Sequence, residues 1–293
     1  MKIQICGMEW KNPVTTAAGT FNARESGRRY DITALGAVTT KGVAPEPWPG
    51  NPLPRIAETY GGMLNSVGLE NPGVEAFIAG ELAELKARGV TVIANVAGHS
   101  EAEFCAVVER LDETAVDMLE INVSCPNLYE GGAVFGADEA AVAKLTRKLK
   151  RLTGKPVMIK LSPNVTDIVR IAEAAEAAGA DALSLINTLV GMRIDLRTGR
   201  PVLANGTGGL SGPAVKPVAV AMVYRVCSRV KIPVIGMGGI MTGGDAYEFL
   251  LAGATAVAVG TAALLDPEAP VRIVHELAEC YEQYGDPHKR KVV

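Results

Sequence analysis

The chain has 293 residues, of which 48% are hydrophobic and only 5% aromatic, with 32 glycines and a net charge of −3. That length allows a large core, in one α/β barrel or in two smaller domains, and few aromatics among many small residues favour close helix–strand packing over an aromatic-rich sandwich. The one basic cluster, His288-Lys289-Arg290-Lys291, sits at the tail, so no broad electrostatic footprint for nucleic acid is present.

In chain order, Ile3 and Ile5 alternate with polar residues before Gly7 and the turn signal Asn12-Pro13, which predicts a small hairpin laid over one end of the fold. Residues 14–19 read as a first strand, and residues 30–36 close a short helix. Residues 37–40 form a second strand that runs into Lys41-Gly42. A proline-rich excursion follows, with Pro45, Pro47, Pro49, Pro52 and Pro54, leading to residues 61–73. It is too long for a plain connection, and such insertions are commonly functional. Ile78, Leu82 and Leu85 recur at helical spacing until Gly89.

From there one theme repeats: apolar strand, polar turn, amphipathic helix. The strands fall at residues 91–96, 118–123, 157–161, 182–186, 233–237 and 256–259. Ser100 is placed to cap one helix. Val142, Leu145, Leu149 and Leu152 face the core from another, and Ile168, Ile171, Ala172 and Ala175 from a third. Residues 189–212 read as a long loop ahead of a helix near Pro213. Eight strands alternating with helices predict a single (β/α)8 TIM barrel over residues 1–293, with a small N-terminal hairpin and long strand-end insertions. The doubly wound alternative lacks a G-x-G-x-x-G at its first turn.

Barrel chemistry collects at the C-terminal strand ends. Here they supply Gly19-Thr20, Lys41, Asn95, Asn122 with Cys125, Lys160, Asn187-Thr188, Gly238-Gly239 and Gly260-Thr261. The two glycine-rich ends at strands seven and eight suit a phosphate, because backbone N–H groups can approach an anion there. Lys41 and Lys160 follow apolar strand residues and need an anionic partner. No acid lies at a neighbouring strand end except Glu120, which is inside its strand, so the partner is expected to be a ligand. Asn65, Asn95, Asn122, Asn127 and Asn187 form an amide-rich set suited to a ligand with imide or amide groups.

Five scattered cysteines contain no C-x-x-C pair, which argues against a disulfide framework, a zinc site or an iron–sulfur cluster within the chain. Free thiols imply a reducing compartment. The first residues lack a signal-peptide core and no apolar run nears the ~20 residues of a bilayer span, so the expected location is cytoplasmic, with no metal and no membrane. Pro126 ends the strand at residues 118–123 and biases Cys125 towards an extended conformation. His99, His275 and His288 fall in a turn, a helix and the tail. Cys125 is thus the strand-end group able to take a proton near neutrality, a free thiol having a pKa of about 8.5.

Several motifs together carry a family resemblance over essentially the whole length. They are Thr40-Lys41-Gly42, Asn65-Ser66-Val67-Gly68-Leu69-Glu70-Asn71-Pro72-Gly73, Asn122-Val123-Ser124-Cys125-Pro126-Asn127, Ile186-Asn187-Thr188, Gly191-Met192-Arg193-Ile194-Asp195 and Gly208-Gly209-Leu210-Ser211-Gly212-Pro213. The chain resembles the dihydroorotate dehydrogenases, in particular the catalytic subunits of their NAD-linked, two-subunit branch. Cys125 stands where the membrane-associated branch carries serine, and the Asn71-Pro72-Gly73 and Gly191-Met192-Arg193 stretches look like the NAD-linked branch. Ala18 departs from the serine common in relatives, so a cofactor contact there is expected through backbone.

The resemblance implies oxidation of dihydroorotate to orotate in pyrimidine biosynthesis, with one FMN per chain and Cys125 as general base. Ala18, Gly19, Lys41, Gly42, Asn95, Asn122, Lys160, Ile186, Gly212, Gly238, Gly239, Gly260 and Thr261 are then the FMN contacts, Lys160 facing the flavin's pyrimidine edge. Lys41, Asn65, Ser66, Val67, Gly68, Leu69, Asn122, Asn127, Asn187 and Thr188 are the substrate contacts, and residues 128–137 are expected as a lid over the base. A partner subunit carrying FAD and a [2Fe–2S] cluster is implied for passage of electrons to NAD, with a homodimer of this chain inside a heterotetramer. The fumarate-using branch and dihydropyrimidine-type flavin dehydrogenases are near alternatives. A barrel lyase using Lys160 as a Schiff-base amine and a non-enzymatic binding barrel are remote ones.

Overall fold

The computed structural model describes residues 1–124, 129–130, 133–290 and 292. Eight parallel strands form the barrel: β1 (Val14–Thr16), β2 (Val38–Thr39), β3 (Val92–Val96), β4 (Met118–Asn122), β5 (Val157–Lys160), β6 (Ala182–Leu185), β7 (Val234–Met237) and β8 (Ala256–Val259). Their order, β1-β8-β7-β6-β5-β4-β3-β2, is the sequential winding that the strand–helix alternation predicts. Between β1 and β2 three threonines take the place of a backbone ladder. Thr16 Oγ1 donates to Thr39 O at 2.9 Å and accepts from Thr39 N at 3.0 Å, while Thr15 and Thr39 hydroxyls meet at 3.2 Å. Hydroxyls both donate and accept, so they can serve either strand's unpaired backbone groups.

Alternation along the strands sorts residues between the helices and the barrel interior. On β4, Leu119 and Ile121 join the large core beneath the helices, whereas Met118 belongs to a second cluster with Ile93, Met158, Ala182, Ile235 and Ala256. That second cluster lies at the N-terminal end of the strands and is closed by the predicted hairpin, Ile3–Ile5 paired antiparallel with Met8–Trp10. Ile5 and Trp10 are fully buried in it. Cys6, at the hairpin's turn, donates to Asp181 O at 3.3 Å, and burial pushes its thiol up to about 11.

The helices follow the expected faces. Ser100 accepts from Glu103 N at the start of Glu101–Asp112, and Asp138, Asp167 and Thr242 cap three later helices in the same way. Val142, Leu145, Leu149, Ile168, Ile171, Ala172 and Ala175 are buried as their spacing requires. The early helix is Ala23–Arg29, started by Asn22, which accepts from Glu25 N. Within residues 30–36, Asp31 caps a separate 3₁₀ turn, Ile32–Ala34.

The main departure from expectation lies above the barrel mouth. Residues 189–212, read as a loop, pair with the proline-rich excursion in a four-stranded antiparallel sheet, Leu189–Met192, Thr207–Ser211, Gly62–Asn65 and Ile56–Thr59 in that order. Each segment alone is short and polar or glycine-rich, so neither announces a strand; the sheet exists because the two insertions meet. A Cβ on Gly209 would fall 2.0 Å from Thr188 Oγ1, and one on Gly208 would fall 2.7 Å from Asn65 O. Glycine is what lets these strands close over the mouth.

The bottom plug is held by large apolar side chains, with Trp10 at its centre. Trp10→Ala is expected to lower unfolding stability by about 3–5 kcal/mol, read from urea denaturation, because the rigid strand ends around it cannot collapse into the space.

Candidate active site

Above the plug the barrel interior turns polar. Asn95, Glu120, Asn122, Lys160 and Ser184 project inward from β3, β4, β5 and β6, all buried. Asn95 and Glu120 are register partners, as are Lys160 and Asn122, and Lys160 and Ser184. Glu120 is the centre of this layer. Its carboxylate accepts from Asn95 Nδ2 at 2.6 Å and from Ser184 Oγ at 2.6 Å, and Lys160 Nζ lies 3.9 Å from its Oε2. The expectation that Lys160 lacks an acidic neighbour is therefore corrected. Glu120 does sit inside its strand, but a side chain one step below the strand end reaches the lysine across the ladder.

A second relay lies at the ends of β4 and β6. Asn187 Nδ2 donates to Ser124 Oγ at 2.5 Å, and Ser124 Oγ donates to Asn122 Oδ1 at 2.7 Å. Both lone-pair and proton positions of the serine are thus used to align two asparagines. Asn187 Oδ1 accepts from Thr188 N at 2.9 Å. Asn65 approaches from the sheet above, its Nδ2 donating to Gly209 O at 3.4 Å. Four of the five amides expected around one mouth are accordingly placed by the barrel and the sheet above it. Asn127, Cys125 and part of the expected lid at residues 128–137 lie outside the described residues.

The loop 65–69 is shaped by buried Asn71, whose Oδ1 accepts from Ala44 N and Gly73 N while its Nδ2 donates to Leu69 O. Gly68 and Leu69 both have positive φ, 77° and 56°, so the turn is tight and held rather than relaxed. Asn51 donates to Ser66 O, and Arg55 joins Glu70 at 2.7 Å while its guanidinium also reaches Val67 O. Lys41 is partly buried beside this loop. Burial pulls its ammonium below the ordinary lysine value, opposed by the charge of Glu70.

At the opposite side, the corner at Gly212 and the ends of β7 and β8 converge. A Cβ on Gly239 would sit 2.7 Å from Gly212 O, and one on Gly238 would sit 2.8 Å from Ala219 Cβ and 3.2 Å from Ile186 Cγ1. Gly212, Gly238 and Gly239 all have positive φ. Thr261 Oγ1 donates to Ser211 Oγ at 2.8 Å, and a Cβ on Gly260 would lie 3.3 Å from Ala17 Cβ, which brings Ala18 and Gly19 to the same rim. Lys216 is committed to Asp245 and Glu248, at 2.7 and 2.6 Å.

This arrangement fits the FMN that the sequence resemblance implies. The glycine cradle leaves room where any side chain would intrude. Asn95 Oδ1 is a buried acceptor with no partner, and Gly42 leaves it room, since a Cβ there would be 2.9 Å away. A buried, unpaired acceptor suits a ring that offers an N–H. Sequence reasoning overlooked Glu120 and Ser184 as working parts. Their signal was present: polar residues at inward, alternate positions of otherwise apolar buried strands.

A family model described as dihydroorotate dehydrogenase matches residues 1–281. The chain is 55% identical over 286 residues to the dihydroorotate dehydrogenase B (NAD(+)) catalytic subunit of Alkaliphilus metalliredigens, covering 97% of this chain and 95% of that protein. It is 57% identical over 281 residues to the protein of the same description from Lachnoclostridium phytofermentans, covering 94% and 93%. Among solved structures, a dihydroorotate dehydrogenase of Eimeria tenella crystallised with ferulenol matches with a TM-score of 0.80 over 99% of this chain and 86% of that one. At 23% identity that likeness bears on the fold.

Asn71→Ala removes three bonds that shape the loop at residues 65–69. It is expected to cost about 1–3 kcal/mol in denaturant unfolding, and to raise amide exchange at Ala44 and Gly73 before the rest of the barrel opens.

Proposed function

The chain belongs to the dihydroorotate dehydrogenase family, and on that footing we propose that it is the catalytic subunit of an NAD-linked enzyme that oxidises dihydroorotate to orotate in pyrimidine biosynthesis. The observation that carries this reading is the near-complete match to catalytic subunits of that activity, at 55% and 57% identity. The polar layer and glycine cradle at the barrel mouth are what such an activity needs. FMN bound there supplies a two-electron, hydride-accepting centre.

In this reading residues 1–293 form one FMN-binding barrel domain. The cradle of Gly212, Gly238, Gly239, Gly260 and Thr261 holds the phosphate, with Ala18 and Gly19 at its rim. Asn95, Asn122, Lys160 and Ile186 line the ring, and Gly42 leaves room for Asn95. Lys41 takes the substrate carboxylate, a role in which a compact cation meets an anion at the water-accessible rim. Asn65 with residues 66–69, Asn122, Asn127, Asn187 and Thr188 hold the substrate ring. The Ser124 relay fixes which ends of Asn122 and Asn187 remain for it. Cys125 removes the ring proton as general base, and residues 128–137 cover it.

The relatives' description as a catalytic subunit supports a second subunit. We assign FAD and a [2Fe–2S] cluster to that partner, and a homodimer of this chain to the centre of a heterotetramer. Among the described residues no helix is long and apolar enough to cross a membrane, and a cytoplasmic setting completes the proposal.

The test is anaerobic titration of the purified chain with dihydroorotate while the visible spectrum is followed. A yellow protein that bleaches, and regains colour with NAD only when the partner subunit is added, is the expected result. Recolouring by fumarate alone would favour the fumarate-using branch, and a yellow protein that never bleaches would move the substrate elsewhere. In the same assay Cys125→Ala is expected to retain FMN and slow bleaching by ~10²–10⁴-fold. Near-normal bleaching would remove Cys125 from the mechanism.

A pH series tests Lys41. Its lowered value means that the ammonium is lost at a lower pH than for an ordinary lysine. Orotate affinity, read by flavin spectral perturbation, is therefore expected to fall on the alkaline side as pH rises through that value. Lys41→Met should bind orotate weakly throughout and lack the alkaline limb.

A further inference from the structure

Glu120 and Lys160 are the only titratable side chains on the eight barrel strands. They are 1% and 4% exposed, and they face each other in the interior. A buried charge is costly unless it is paired, and here each group has the other as its oppositely charged neighbour, 3.9 Å away. Strands β3, β6, β7, β8, β1 and β2 bring amide, hydroxyl or apolar side chains only. Lys41, past the end of β2, has Glu70, Arg55 and Glu81 as its charged neighbours, and Cys125 follows β4 outside the described residues.

An ionised carboxylate can only accept hydrogen bonds. Asn95 must therefore turn its NH₂ towards Glu120, as the 2.6 Å contact has it, which leaves Oδ1 as the end aimed away from the carboxylate and unpaired. Ser184 must likewise spend its proton on Glu120 Oε1. Each outcome follows from one acid's charge rather than from the amide or the hydroxyl itself.

We propose that Glu120 is the positioning residue of this site: its carboxylate pairs with Lys160 and turns Asn95 so that a carbonyl, not an NH₂, faces the ligand. The ligand it prepares the mouth for is a planar ring carrying an N–H beside electron-rich carbonyl groups. For that ligand's identity as FMN the proposal rests on the functional reading above.

The test uses the full chain, FMN-free and FMN-loaded, as wild type, Glu120→Gln, Lys160→Met and the double variant. Melting temperature of the FMN-free protein is followed from about pH 6 to about pH 9, the range into which buried groups shift. In Glu120→Gln a buried lysine is left without its counter-charge, and burial then disfavours its charged form in the folded state only. The unfolded state is expected to bind more protons, so stability should rise with pH. In Lys160→Met a buried carboxyl is left without its counter-charge, and burial then disfavours its charged form in the folded state only. The folded state is expected to bind more protons, so stability should fall as pH rises. Relative to wild type the two single variants should slope in opposite directions, and the charge-free double variant should run parallel to wild type. A single variant that fails to fold while the double variant folds reports the same coupling. FMN affinity, by fluorescence quenching, should fall by at least ~10-fold in Glu120→Gln, as expected when a buried amide is left wrongly turned.

Parallel profiles for all four proteins would overturn the charge pair. Opposite slopes with unchanged FMN affinity in Glu120→Gln would confine Glu120 to stability and overturn its positioning role. A wild-type chain that takes up no FMN would sink the functional reading, while the melting profiles would still decide the pair.

Discussion

A carboxylate sealed inside a ring of eight strands must be surrounded by donors, because the interior offers no water to solvate it. Glu120 finds Asn95 on one neighbouring strand, Lys160 on the other, and Ser184 one strand further round. Its requirements therefore extend over β3 to β6, half the barrel, and they can be met in one strand register only. A slip of one residue would turn each of these side chains outward to the helices. The site and the register of the sheet are in this sense a single arrangement.

The barrel is divided along its axis. At the N-terminal end the hairpin and the cluster around Trp10 exclude water with apolar contacts that carry no chemistry. One layer higher, the same strands present amides, a hydroxyl and the charge pair. The rigid end anchors the strands so that the polar end can hold unpaired groups such as Asn95 Oδ1 ready for a ligand. Above both, the antiparallel sheet places Asn65 opposite Gly209, which packs against Thr188, and leaves the mouth bounded by two insertions that act together.

Two kinds of recognition meet in that mouth. The cradle around Gly212, Gly239 and Gly260 offers backbone and close approach, with Lys216 drawn away by Asp245 and Glu248. The Asn122–Ser124–Asn187 relay offers oriented amides. In the function proposed, a cofactor that ends in phosphate and a ring substrate bearing amide groups would divide these features between them.

Strand–helix alternation, the glycines at the ends of strands seven and eight, and the lysines at strand ends were legible in the amino-acid sequence, because each depends on local pattern and on the rule that barrel chemistry gathers at strand C-termini. So were the hairpin and the cap at Ser100. The family could be read from its motifs for the same reason. What the sequence could not decide is which distant residues share one layer. Glu120 looks like a strand-interior acid until β5 is laid beside β4, and the stretch 189–212 looks like a loop until it meets residues 56–65. Those facts depend on register and on the meeting of segments more than a hundred residues apart, which are set by the summed packing of the whole barrel and not by any local propensity.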